Sequence, residues 1–417
     1  MKFTMSRVLL TCAHRDTRAI KSQPLWRSLA GLLLCLAIPS LLCAAPPSTS
    51  NSSTEHAQSD VLTTPQERGF IRRQIDQLLG TKESAHESGL LLFPTLAYAP
   101  ETRWDFGINT LYVYFANDRV ENRLSEINVY TFYTQEDQYG VWADHTLYSD
   151  HNEWFFYGKA RVQYFPMNYY GIGLDTSPEV KAVIDSDLIW ARERILKKLE
   201  GSLYWGLELD FRSTQNLTYR PKDKEDDDPL PFGIEGGVQL GLGLGLIYDN
   251  CYNAMNVRDG LLAEIGFLHY SDTLSDYPMN SLFFDTRLFY PTTESQVLAF
   301  QFKGDLAFGD IPYNQLPVLG GAHLMRGYYV GRYRDQRAWA TQLEYRWLPF
   351  MKGGRLGGAI FGALGTVSPD WKIDRLLWSA GIGARYLLFP QKDIFSRFDF
   401  ALTAEGSGMY FYVGESF

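Results

Sequence analysis

From residue 88 onward the chain alternates apolar and polar residues with a period of two. Leu203, Trp205, Leu207, Leu209 and Phe211 are separated by Tyr204, Gly206, Glu208 and Asp210. Trp339, Thr341, Leu343, Tyr345 and Trp347 alternate with Ala338, Ala340, Gln342, Glu344 and Arg346. Phe398, Phe400 and Leu402 alternate with Asp399, Ala401 and Thr403, and Leu240 to Leu246 alternate with glycines. A period of two is that of a β-strand with one apolar and one polar face. Strands of a soluble sandwich run to about 5–6 residues. These segments are nearer the ~9–11 that cross a bilayer at a tilt, and they end in aromatics. No later segment has the roughly 18 apolar residues of a membrane helix. A closed barrel is then the way to pair every backbone group in lipid.

The pattern predicts strands at 89–99, 103–115, 123–136, 139–149, 153–165, 184–196, 202–217, 236–249, 261–272, 281–291, 296–309, 337–349, 355–367, 376–389, 395–406 and 408–417. The fold class expected is all-β, a 16-stranded antiparallel transmembrane barrel, an even number as bacterial barrels have. The segment 185–199 also carries helical spacing and reads either way.

The first 44 residues break the pattern. Lys2, Arg7, Arg15, Arg18, Lys21 and Arg27 precede an apolar stretch, 29–38, then Pro39-Ser40 and small residues at Ala44-Ala45. This is the order of a secretory signal, and the apolar stretch is too short to span a bilayer. Residues 45–87 read as a polar periplasmic leader with one short amphipathic helix, 64–79, built on Pro65, Phe70, Ile71, Ile75 and Leu79. The barrel is expected over 88–417.

Charge and cysteines narrow the function classes. Without residues 1–44 the chain keeps 33 basic and 47 acidic residues, a net of −14. Such a surface repels nucleic acid, which is dropped as a partner. Cys251 is then the one cysteine, so no internal disulfide can form. Asp144-His145 and His151 have no nucleophile placed beside them. There is no Cys/His metal spacing and no phosphate-cradling loop. No catalytic residue, metal or cofactor is expected, and the chain reads as a non-enzyme.

The stretch between the eleventh and twelfth strands is Gly-rich and lacks either period. It runs Gly320-Gly321-Ala322-His323-Leu324-Met325-Arg326-Gly327-Tyr328. An arginine set between Met325 and Gly327-Tyr328 suggests a loop that folds back inside and delivers Arg326 to a partner. Glu344 lies on the polar face of the following strand.

These residues resemble the BamA/TamA-type outer-membrane assembly and translocation superfamily, related to the two-partner-secretion transporters. Arg326-Gly327-Tyr328 fills its Arg-Gly-aromatic loop tip, Gly320-Gly321 its glycine pair, and Leu343-Glu344-Tyr345 its following strand. Gly241 to Asp249 and Tyr169 to Asp175 are also similar to it, and the likeness spans roughly residues 88–417. The resemblance implies a bacterial outer-membrane location, and an inward loop locked by Arg326 and Glu344. It also implies a seam between first and last strands through which client proteins or lipid are inserted or translocated. Pro94 falls in the first strand of that seam, and the terminal Phe417 shares a face with Met409, Phe411 and Val413. Such a terminal aromatic is what outer-membrane barrels offer to their assembly machinery, although Glu415 interrupts the face. Two departures stand out. Ala363 occupies the place of an Asp that the family sets against the loop arginine, and 45–88 has no room for a POTRA repeat. The alternative expectation is a plugged pore or structural barrel passing small solutes.

Overall fold

Sixteen antiparallel strands follow one another around a closed wall in the computed structural model, which describes residues 88–417 apart from 224–228, 252–255, 352 and 391–392. The expected signal and leader, with its helix, lie outside the described residues. The strands are β1 (Gly89–Ala99), β2 (Arg103–Phe115), β3 (Leu124–Thr134), β4 (Tyr139–Tyr148), β5 (Trp154–Tyr164), β6 (Ala182–Glu200), β7 (Leu203–Pro221) and β8 (Gly237–Asp249). They continue as β9 (Gly260–Tyr270), β10 (Met279–Thr293), β11 (Gln296–Gly309), β12 (Arg337–Trp347), β13 (Leu356–Ser368), β14 (Leu377–Phe389), β15 (Ile394–Thr403) and β16 (Gly406–Val413). Each pairs with the next, and β16 returns to β1. An even count puts both chain ends at one end of the barrel, here called the terminal end.

The expected strands are found within a few residues of their places. The ambiguous 184–196 is a strand, and a longer one. In β6 the side chains of Trp190, Arg192 and Arg194 turn inward to Asp210, Glu208 and Glu264, while Ile195 pairs across the outer face with Leu207. Alternating partners on two faces leave no helical option. β6 and β7 are each 19 residues long and pair along nearly their whole length. The short piece Met167–Tyr169 braces the start of β6.

Alternation sorts the wall into two faces. Leu207, Leu244 and Ile382 are exposed on the outside, while Glu208 and Asp210 are buried inside. Inward charges are matched across neighbouring strands and within one strand. Arg192 and Arg194 both reach Glu208, at 2.8 and 2.9 Å, and Arg287 meets Asp285 at 2.7 Å.

Closure is uneven. β1 and β2 are joined through eleven register pairs, and β15 and β16 through eight. Between β1 and β16 the described residues give one, Tyr98 with Phe411. Pro94 sits midway along β1, opposite Ile108 of β2, in an outer row with the exposed Leu96.

The end of the chain departs from expectation. The last strand was expected to run to 417, bringing Phe417 to the seam. It stops at Val413. Gly414 takes φ +91, a left-handed value that glycine adopts without strain, and turns the chain inward. Phe417 lies instead against Phe289 of β10, with ring centroids 6.2 Å apart. The charge that interrupts the outer face explains the turn: Glu415 is drawn to Arg385 and Arg346 inside the barrel.

Candidate functional site: a loop clamped in the lumen

The segment between β11 and β12 leaves the end of the barrel remote from the termini. At its neck Val318–Leu319 pairs with Tyr333–Arg334. Below the neck, Gly321 N–H donates to the Tyr328 carbonyl at 3.0 Å, and Gly331 N–H to the Leu319 carbonyl at 3.1 Å. The chain reverses at Gly327, whose φ is +106; a Cβ there would come within 2.5 Å of a Thr403 methyl. Gly327 N–H donates to the Tyr410 hydroxyl at 2.8 Å, fixing the reversal to β16. Gly320 and Gly321 also hold positive φ, at +111 and +104. The Tyr328 ring stands edge-on to Tyr333 at 5.6 Å and is buried with Met325 and Leu319.

This path carries Arg326 among inward side chains of the wall, where it is 1% exposed. One guanidinium nitrogen donates to Glu344 of β12 and another to Asp399 of β15, the latter at 2.6 Å. The face of the guanidinium lies 3.4 Å from the centroid of Phe361 on β13. Arg326 and Glu344, both named from sequence, are thus in contact. Ala363 makes no polar bond to the arginine; it joins the apolar cluster with Met325. Asp399, two strands further on, provides the second carboxylate. Sequence reasoning missed it, although Arg397-Phe398-Asp399 sets two opposite charges on one inward face and was the available signal.

The pair is part of a larger network. Arg385 of β14 reaches Asp399 at 2.6 Å, Glu344 at 3.0 Å and Glu415 at 3.0 Å. Arg346 reaches Glu344 at 3.0 Å, and Arg397 reaches Asp399 at 2.7 Å. Four guanidiniums and three carboxylates therefore lie buried together. The planar five-donor fork of arginine suits such multiple matching. Arg397 and Ser379 also bond loop carbonyls, those of Ala322 and Arg326. Beside the network, His323 Nδ1 lies 2.9 Å from the Ser416 carbonyl; burial, with Arg397 nearby, pushes its imidazole down to about 4 and keeps it neutral.

A second set of contacts holds the loop nearer its entry. Arg332 meets Glu405 at 2.6 Å and the Thr176 hydroxyl at 2.7 Å. In the β1–β2 turn, Glu101 accepts the Val330 N–H at 2.8 Å, and burial pushes its carboxyl up to about 6. Every contact in both sets fixes position, and none presents an activated nucleophile.

No family model matches the sequence, and no curated protein matches it. Solved structures do. BamA from Haemophilus ducreyi lacking POTRA domains 1–3 superposes with a TM-score of 0.54 at 13% identity, covering 79% of this chain and 70% of that one. CdiB from Acinetobacter baumannii gives 0.52 at 10%, covering 78% and 65%, and CdiB from Escherichia coli gives 0.51 at 12%, covering 82% and 70%. The chain has the fold of these barrels. At such identities the likeness is one of architecture alone, and the chain spans 65–70% of the length of those BamA and CdiB chains.

Proposed function

We propose that the chain is an outer-membrane barrel of the BamA/TamA-like superfamily that aids insertion or translocation of proteins, or of lipid, through the β1–β16 seam. The observation that carries this reading is the single register pair between β1 and β16 beside eleven and eight in the flanking ladders. Backbone bonds are what a strand edge gives up to open, so this junction is the easiest place for the wall to part. Pro94, lacking an N–H, limits how far a β1 ladder can be completed. Partners under this reading are bilayer lipid, client outer-membrane or exported proteins, and the machinery that assembles the barrel itself. The clamped loop has a holding role, and no catalytic residue, cofactor or metal is assigned.

The test is depletion followed by a census of outer-membrane proteins, with rescue by a barrel locked through Tyr98→Cys and Phe411→Cys. Insertion through the seam predicts a falling census that the reduced barrel restores and the oxidised one does not. Full rescue by the oxidised barrel would sink the proposal.

A second reading, a plugged pore passing small solutes, is favoured by the matched charges along the β6–β10 inner wall. It predicts single-channel conductance that seam locking leaves intact.

A further inference from the structure

Four segments meet at the end of the barrel remote from the termini: the β5–β6 connection, the β13–β14 connection, the β15–β16 turn and the loop near its neck. Between them lies a cavity of about 510 Å³. Its apolar walls are Leu174, Leu377 and the rings of Tyr328, Tyr333 and Trp378. Tyr328 and Tyr333 stand edge-on to each other and are held in the buried cluster with Leu377, so this side of the cavity is set before any ligand arrives.

The polar groups of the cavity fall into two sets. One is already engaged. Arg332 reaches Glu405 at 2.6 Å and the Thr176 hydroxyl at 2.7 Å, and the Tyr333 hydroxyl donates to Glu405 at 2.6 Å. The other set stands at the rim. Arg375 gives one N–H to the Leu174 carbonyl and lies 3.9 Å from Asp175, beyond hydrogen-bond length. Their side chains are 53% and 99% exposed, so the rest of the guanidinium fork and the carboxylate face solvent.

Apolar walls with a few polar groups at one edge are the make-up of a small-molecule site, and the volume is of the usual size. Each carboxylate here has an arginine beside it, so the cavity presents no unmatched charge to attract an ion. Donors of a fork beside a carboxylate suit neighbouring hydroxyls, each of which both donates and accepts. Tyrosine and tryptophan rings suit a flat apolar face with a polar edge. A sugar ring has both properties.

We propose that this cavity binds a neutral sugar ring, its apolar face on the aromatic wall and its hydroxyls shared between Asp175 and Arg375. The site stands on the cavity alone, whether the barrel inserts clients or passes solutes.

The probes are the methyl glycosides of glucose, galactose, mannose and N-acetylglucosamine, titrated into the barrel in a sugar-free detergent and followed by saturation-transfer NMR. At least one should bind. Asp175→Ala and Arg375→Ala lie at the exposed rim, outside the loop clamp. Each should keep the compact gel mobility of a folded barrel and weaken that binding roughly tenfold, the loss of a hydrogen bond to a charged group. Should one of them lose compact mobility, the other decides. Binding of none of the four glycosides, or unchanged affinity in a compact rim variant, overturns the proposal. Tighter binding of benzoate or inorganic phosphate than of any glycoside overturns it too, since the site would then be one for anions.

Discussion

Arg326 faces two carboxylates across a gap that only a forked cation can span, and it is sealed from solvent. Removing one member of a buried ion network typically costs ~3–5 kcal/mol, because the charges left behind are stranded. Arg326→Ala should accordingly lower the temperature at which the barrel loses its compact gel mobility and make the 320–330 segment sensitive to protease. Arg326→Lys should recover little of this, since one ammonium cannot serve Glu344 and Asp399 together. Glu101 gives a pH dependence. Its carboxyl, at about 6 in the fold, lies above the ordinary 4.5. The folded barrel therefore holds the proton more tightly than the unfolded chain. The resulting stability is fully present below 4.5 and lost as pH rises through about 6. The shift corresponds to about 2 kcal/mol. Glu101→Gln should flatten the fall in thermal stability between pH 4 and 7; an unchanged profile would assign the proton elsewhere.

At the scale of the strand, membrane and lumen are separated by single-residue alternation. Leu207 lies on the outer row of β7, between the lumenal Glu208 and the turn to β6. Leu207→Arg should cost about 2–4 kcal/mol and reduce folding into bilayers, as charges on the lipid face near mid-membrane do. Gln215→Arg, beyond the last β7–β8 pair at Thr214, should be close to neutral. Equal folding of Leu207→Arg and the parent would shift the register by one residue. This alternation is why most of the wall was legible in the sequence: Leu203 to Phe211 or Phe398 to Leu402 declare their faces locally. What was not legible depends on distance. Asp399 meets Arg326 because the wall curves β15 round toward β12, and no local pattern encodes a contact across 73 positions. The turn at Gly414 likewise depends on Arg385 and Arg346, brought to the tail by the closed ring. The strand expected at 184–196 is found, and the helical alternative at 185–199 arose because inward arginines there mimic a polar helix face until their carboxylate partners on β7 and β9 are known.

For the whole molecule, one ring of strands has a strong arc and a weak joint. The weak joint lies beside the strands that carry the ion network, β12 to β16, so the clamp and the short ladder share a neighbourhood. Oxidised Tyr98→Cys/Phe411→Cys barrels should retain compact mobility and lose rescue of the outer-membrane census. The opposite side of the ring carries the 19-residue hairpin of β6 and β7. Under the outer-membrane reading proposed above, a tilted crossing uses about ten residues and leaves roughly 25–30 Å of each strand standing clear of the bilayer. The ladder runs from that projection into the wall with two local register shifts, between Asp185 and Asp187 and between Lys198 and Glu200. Mechanically it is a stiff lever rooted in the barrel, so a load applied at its tip is delivered as torque to the wall rather than absorbed by a slack tether.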